Sequence, residues 1–206
     1  VPFRYYGIYD ETDYSSFWEN EHEAIVNVNN RLHKVHLVGT NTDVIDDNHN
    51  AKLTWEFSEV LKHEDGTTWK TQWNDTADNR DYWNSKINTF LDESVLPALI
   101  EGTPDLKNQI QTVSRNVNIN SGTWNHNTSK PQQVFLPTLY NLGLENNGLY
   151  KGEGGDTYSY YSTSTKEVYK DDKIWLSSPS YNNSNTDAHT IESNDSYSQK
   201  LVTDQY

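Results

Sequence analysis

Lys52-Leu53-Thr54-Trp55-Glu56-Phe57 and Tyr82-Trp83-Asn84-Ser85-Lys86-Ile87-Asn88-Thr89-Phe90-Leu91 carry the reading of the fold. In the first, Leu53, Trp55 and Phe57 share one face and Lys52, Thr54 and Glu56 the other, the period-two alternation of a half-buried strand. In the second, Tyr82 or Trp83, Ile87, Phe90-Leu91 and then Ser94-Val95 fall at three- and four-residue spacings, which predicts an amphipathic helix capped by Thr76 or Asp78. Pro97 lacks the amide that the helical ladder needs, so it is expected to end or kink that helix. Strand and helix within one stretch of chain predict an α+β class.

Outward from these segments the pattern continues. Ala24–Val28 and Leu32–Val38 read as strands before Lys52, with Gly39-Thr40-Asn41 supplying turn chemistry. Thr103-Pro104-Asp105-Leu106 starts a short helix over Leu106–Ile110, followed by a strand from Val113 to Ile119 with Val113, Val117 and Ile119 as its apolar members. Val134-Phe135-Leu136 and Ile174-Trp175-Leu176 are strand-like islands among long polar loops, and Gly152-Glu153-Gly154-Gly155 reads as a flexible loop.

The chain has 206 residues, enough for one domain with a real core. A mean hydropathy of -0.93 leans toward disorder, whereas 14 Tyr, 7 Trp and 5 Phe lean toward a fold whose core relies on aromatic area. With 16 basic against 30 acidic residues, a nonspecific grip on nucleic acid would work against the protein's own field. No run approaches the length of a membrane-spanning helix, so neither nucleic acid nor membrane is expected as a partner. The absence of cysteine removes disulfides and thiolate metal sites. Methionine is absent too, and the opening Val1-Pro2 suggests a processed product or a fragment.

The middle and end of the chain resemble an uncharacterised family of bacterial and phage surface proteins, domain of unknown function 6273. The resemblance runs through Trp73-Asn74-Asp75-Thr76 and the Tyr82–Leu91 helix, then the short helix Leu106–Ile110 and strand Val113–Ile119. It continues in Val134–Gly143 and in Asp172-Lys173-Ile174-Trp175-Leu176-Ser177-Ser178-Pro179, and covers roughly Lys52 to Tyr181. Two departures stand out: Ser177 replaces the family's usual arginine, and the family's closing strand is absent after Tyr181. The resemblance implies a C-type-lectin-like α+β domain with short helices, a mixed antiparallel sheet and long polar loops. It divides the chain into residues 1–23 (an N-terminal arm or edge strand), the lectin-like domain 24–181, and the polar C-terminal tail 182–206. It also implies a virion or cell-surface location, with other virion proteins or sister copies as partners.

The candidate sites follow from residue chemistry. Carboxylate pairs such as Asp46-Asp47, Asp171-Asp172 and Glu56 with Glu59 can be drawn as a glycosidase pair, but nothing in the pattern separates their pKa values, and they read as solvated loops. Asp43–Asn48 and Glu153-Gly154-Gly155-Asp156 offer the oxygen ligands that calcium takes, without the EF-hand spacing. His33 and His36 point to opposite faces of one strand, so no other metal and no cofactor is expected. Trp55, Trp83, Phe90, Leu91, Phe135 and Trp175 are the expected core. Trp69, Trp73, Trp124, Tyr150, Tyr158, Tyr160, Tyr161 and Tyr181 lie in or beside polar loops; of these Trp124, Tyr158, Tyr160 and Tyr161 are the candidate ligand-binding rings.

The expected function is therefore a non-enzymatic virion-associated structural protein (phage tail, fibre or head decoration) with protein-binding and receptor-binding roles. The alternatives are a module for cell-surface polysaccharide and a glycan hydrolase. Residues 182–206 bury too little apolar surface to offset their own ordering. They and residues 1–9 are expected to reach neighbouring chains, unless the tail folds back as a replacement strand.

Overall fold

Asn29 and Asn30 both take positive φ, 55° and 60°. Asparagine tolerates that region better than other residues with side chains, and two such residues in a row make the hairpin turn whose twist matches the flanking strands. The turn joins β1 (Glu23–Val28) to β2 (Arg31–Thr40), with Val28 opposite Arg31 and Glu23 opposite His36. The computed structural model describes residues 23–76, 81–118, 127–144, 150–162, 174–179, 187–192 and 196–201. Trp124, Tyr181 and the stretch 1–9 lie outside them.

β5 (Leu53–Phe57) pairs with the other edge of β2, placing Trp55 opposite Leu37 and Phe57 opposite Val35. The sheet order is β1-β2-β5, and a small hairpin of β3 (Val44–Asp46) and β4 (His49–Asn50) forms the connection. β6 (Val113–Asn118) and β7 (Asn127–Gln132) make a second two-stranded ribbon. β8 (Ile174–Pro179), β9 (Asp187–Glu192) and β10 (Ser196–Leu201) form a third sheet, ordered β10-β9-β8. Among the described residues all strand pairings are antiparallel. With short helices between them, this is a mixed α and β fold of the expected class.

The helical region departs from expectation in its caps and its end. Asp81 caps a 3-10 turn over Tyr82–Asn84, accepting from the Trp83 amide at 3.0 Å, and Ser85 caps α1 (Lys86–Phe90), accepting from the Asn88 amide at 3.1 Å. Thr76 is not the cap of either element, and Asp78 lies outside the described residues. Pro97 does not end the helix: the chain passes through a π-helical turn, Leu91–Val95, into α2 (Leu96–Gly102), where Pro97 sits in the first turn. There the missing amide costs little. Ile87, Leu91, Val95 and Leu99 form one buried stripe through all three segments.

Trp73, Tyr82, Trp83 and Trp175 lie at the centre of the core beside Val117, with Trp73 and Trp175 ring centroids 5.7 Å apart. A second cluster packs Leu99 and Leu106 beneath Val26, Val28 and Val35 of the sheet, and a third joins Leu139, Leu142, Tyr150 and Leu176. Trp83, Leu91 and Trp175 are buried, as expected of core residues, whereas Trp55, Phe90 and Phe135 are only half-buried. Trp73 and Tyr150, placed by sequence beside polar loops, are buried because the loops carrying them fold inward over the core.

Three other expectations are corrected. Val134-Phe135-Leu136 follows β7 as irregular chain rather than strand. β7 itself arises in polar sequence, at Asn127–Gln132, because main-chain pairing with β6 requires no apolar side chains. Within the polar tail, residues 187–192 and 196–201 are likewise part of the fold, since β9 pairs with β8 and β10 with β9.

The end of α2 closes the outer edge of β1. The buried Thr103 hydroxyl accepts from the Asn27 amide at 2.7 Å and lies 3.1 Å from the Asn27 carbonyl, to which it donates. One side chain thus does for this edge what a neighbouring strand would do. Gly102 permits the approach: a Cβ there would sit 2.3 Å from the Asn27 carbonyl oxygen. Thr103→Val keeps the shape and removes both bonds, so urea denaturation should show a loss of about 1–3 kcal/mol. An unchanged midpoint would show that the edge needs no such cover.

Candidate functional site

Arg115 stands on β6 between Val113 and Val117 and points with them into the interior. Its guanidinium meets the Asp43 carboxylate at 3.0 Å, with both side chains 1% exposed. Nη1 also donates to the Gly154 carbonyl at 2.6 Å, and Nη2 donates to Asn141 Oδ1 at 2.8 Å. The Phe135 ring lies under the guanidinium, 4.1 Å from centroid to Cζ. Asp43 accepts in addition from the Tyr158 hydroxyl at 3.1 Å and from Thr54. Desolvating two charges is tolerated only where hydrogen bonds satisfy them, and here partners surround the Asp43 carboxylate and both Nη atoms of Arg115, while Arg115 Nε is buried without one.

Around this pair the loop 150–158 is tied down. Asn141 Nδ2 donates to the Asp156 carbonyl at 2.8 Å, and the Thr138 hydroxyl donates to the Glu153 carbonyl at 2.8 Å. Gly154 takes φ 74°, and a Cβ on it would meet Arg115 Nη2 at 2.7 Å and Asn141 Oδ1 at 2.5 Å. Only glycine fits that position. The Gly152–Gly155 stretch, expected to be a flexible loop, is therefore a packed lid over the arginine.

Glu153 is buried, its carboxylate accepting from the Asn118 amide at 2.9 Å and from the Ser178 hydroxyl. Burial pushes its pKa up to about 7, against the downward pull of those two bonds and of Arg115. Asp43 and Glu153, the first acids of the two calcium candidates, are thus held by Arg115, Thr54, Tyr158, Ser178 and a main-chain amide. The guanidinium supplies the positive charge beside Asp43, whereas Glu153 is met by an amide and a hydroxyl. Among the described residues, no cluster of His, Asp and Glu is placed to hold an ion.

The three tyrosines of the candidate ligand surface divide. Tyr158 is a correction: it is 2% exposed and its hydroxyl is bound in the ionic network, so its ring offers no face to a ligand. Tyr160 and Tyr161 are half-exposed on α3 (Ser159–Ser162). Tyr160 packs on the His36 ring with centroids 4.7 Å apart, and the Tyr161 hydroxyl donates to Glu56. His36 sits between Ser58 Oγ, 2.9 Å from Nδ1, and Glu56 Oε2, 3.3 Å from Nε2. His33 lies on the opposite face of β2, buried against the edge of Phe57, where desolvation lowers its pKa and favours the neutral ring.

Beside β5 opens a cleft of about 990 Å³ that sequence reading did not foresee. Phe57, Trp69, Phe90 and Leu136 form much of its apolar wall. The exposed amide side chains of Asn108, Gln109 and Gln111 stand on its rim. Its volume is at the upper end of the roughly 300–1,000 Å³ usual for small-ligand sites.

Two measurements probe the network. Arg115→Met should cost roughly 3–5 kcal/mol because it strands the Asp43 charge, and adding Asp43→Asn should recover part of that loss in urea melts. Glu153 binds its proton more tightly in the folded chain than in the unfolded one. Its contribution to stability is therefore full below the ordinary carboxylate pKa of 4.5 and is lost as pH rises to about 7. Glu153→Gln should flatten that decline, so its stability relative to the parent should rise between pH 5 and pH 7.5 on a scale of roughly 1 kcal/mol per pKa unit. Parallel pH profiles for the two proteins would show that Glu153 is not the titrating group.

Comparison with protein-family models, with curated proteins and with solved structures finds no match to this chain.

Proposed function

We propose that this chain is a non-enzymatic binding domain of a virion-associated or cell-surface structural protein, with a C-type-lectin-like architecture. The observation that carries the binding role is the aromatic-walled cleft beside β5. The most deeply buried acids, Asp43 and Glu153, are engaged in holding loops together, which suits a rigid scaffold better than proton transfer to a substrate. The virion setting and the lectin-like topology rest on the resemblance through Tyr82–Leu91, Val134–Gly143 and Asp172–Pro179. Partners of such a domain are sister copies or other virion proteins.

A second reading, recognition of a surface glycan, is favoured by the half-exposed Tyr160 and Tyr161 rings beside Glu56 and His36. Rings beside short polar groups are what sugar recognition uses.

Sedimentation velocity of the intact chain, alone and mixed with virion proteins, tests the first reading: concentration-dependent association is expected. A monomer that binds neither itself nor any partner overturns it. Titration with cell-wall oligosaccharides, followed by tryptophan fluorescence, tests the second; a flat signal up to millimolar sugar removes it. Reducing-end release from host polysaccharide that vanishes on Glu56→Gln would make the protein an enzyme and overturn both.

A further inference from the structure

The cleft beside β5 continues inward between the sheet and the helical run. Val26 and Val35, on the inner face of the β1-β2-β5 sheet, border it from one side. Ile87, Leu91, Val95 and Leu99, the buried stripe through α1, the π-helical turn and α2, border it from the other. The ends of that stripe are twelve residues apart, so this wall extends for roughly 18 Å at about 1.5 Å per residue. The lining sorts by depth: these aliphatic side chains are buried, whereas Lys70, Asn108, Gln109 and Gln111, which also border the cleft, are exposed. An elongated apolar space with a polar outlet fits a molecule that has one apolar chain and one polar end.

The charges along the cleft decide the sign of that end. Asp43, Lys52, Glu56, Glu59 and Lys70 are the charged residues that border it. Asp43 is paired with Arg115 and Glu59 with Lys62, while Glu56 accepts from Tyr161 and lies against His36. Lys52 is engaged as well. Lys70 differs, since among the described residues no carboxylate is paired with it. An ammonium on a flexible stem at the outlet of an apolar space suits an anionic head, and the bordering acids already have partners.

We propose that this cleft holds a long-chain fatty acid, with its chain along the helical stripe and its carboxylate at Lys70. The inference rests on the binding-domain reading, whose cleft it fills, and names the ligand class. The apolar wall carries no polar demand on the chain, so affinity grows with chain length, by roughly fourfold for each methylene removed from water. The rim amides of Asn108, Gln109 and Gln111 can donate to carboxylate oxygens that Lys70 leaves unmet.

The test titrates the intact chain with laurate below its micelle concentration, by calorimetry and by tryptophan fluorescence, since Trp55 and Trp69 border the cleft. Saturable binding of laurate is expected, and octanoate, shorter by four methylenes, should bind about a hundredfold more weakly. Lys70→Glu, at an exposed position, should weaken laurate at least tenfold and favour dodecyltrimethylammonium instead. Val26→Phe, which adds a ring from the sheet side, should abolish laurate binding while the chain keeps a melting transition. If that variant does not fold, the Lys70→Glu measurements decide alone. Laurate that fails to bind overturns the proposal. So does laurate that binds no better than dodecyltrimethylammonium whether position 70 is Lys or Glu, because that is partition onto apolar surface. Laurate binding that a folded Val26→Phe leaves unchanged overturns it too. If the chain still associates with copies or virion proteins in those cases, only the fatty-acid site is lost. If association also fails, the binding-domain reading falls with it.

Discussion

One buried ion pair, Arg115 with Asp43, ties four separate parts of the chain together. Asp43 comes from the turn after β2, Arg115 from β6, and the guanidinium also takes the Gly154 carbonyl and the Asn141 side chain. Such a pair adds little net stability compared with an apolar substitute, because both charges must leave water. Its effect is specificity. A guanidinium with fixed fork geometry accepts only one arrangement of carboxylate, carbonyl and amide oxygen around it. The loops on either side of β6 are thereby held in register although they carry few apolar residues.

That constraint explains how a chain that is 33% hydrophobic and carries a net charge of -14 is nonetheless ordered through its centre. The aromatic cluster of Trp73, Tyr82, Trp83 and Trp175 supplies apolar area, while the polar interior orders the loops around it. Polar networks inside a protein are costly when incomplete. Here Asn141 and Thr138 close theirs: the Asn141 amide donates to Thr138 Oγ1 at 3.0 Å and the Thr138 amide to Asn141 Oδ1 at 3.1 Å. The third sheet is anchored in the same way, through Ser178, which accepts from the Leu139 amide at 3.0 Å and donates to Glu153.

The class of the fold was legible because periodicity is a local signal. β5 and the buried stripe from Ile87 to Val95 could be read residue by residue. β7, β9 and β10 could not, since their pairing is made by the main chain of sequence that is rich in Asn, Ser and Thr. Arg115 was missed for a different reason. It occupies an inward position in the alternation Val113, Arg115, Val117, and a basic residue at such a position marks a buried partner. Glu153 between glycines resembled solvated loop until Gly154 was seen to need its small size. Tyr158 and Trp73 lie in polar surroundings by sequence, yet exposure is decided by where the loop folds, which only long-range contacts fix. The cleft had no local signature, because it is the space left between segments distant in the chain.

The π-helical turn at Leu91–Val95 also sets the phase of the helical run. A wider turn holds one residue more than an α-helix over the same rise, as an insertion would leave behind. It offsets everything after it by roughly 100° about the axis relative to an uninterrupted α-helix. Leu99 and the Gly102-Thr103 corner owe their bearing to that offset. The extra residue acts like a leap day in a calendar: remove it, and each later position keeps its name but faces the wrong direction.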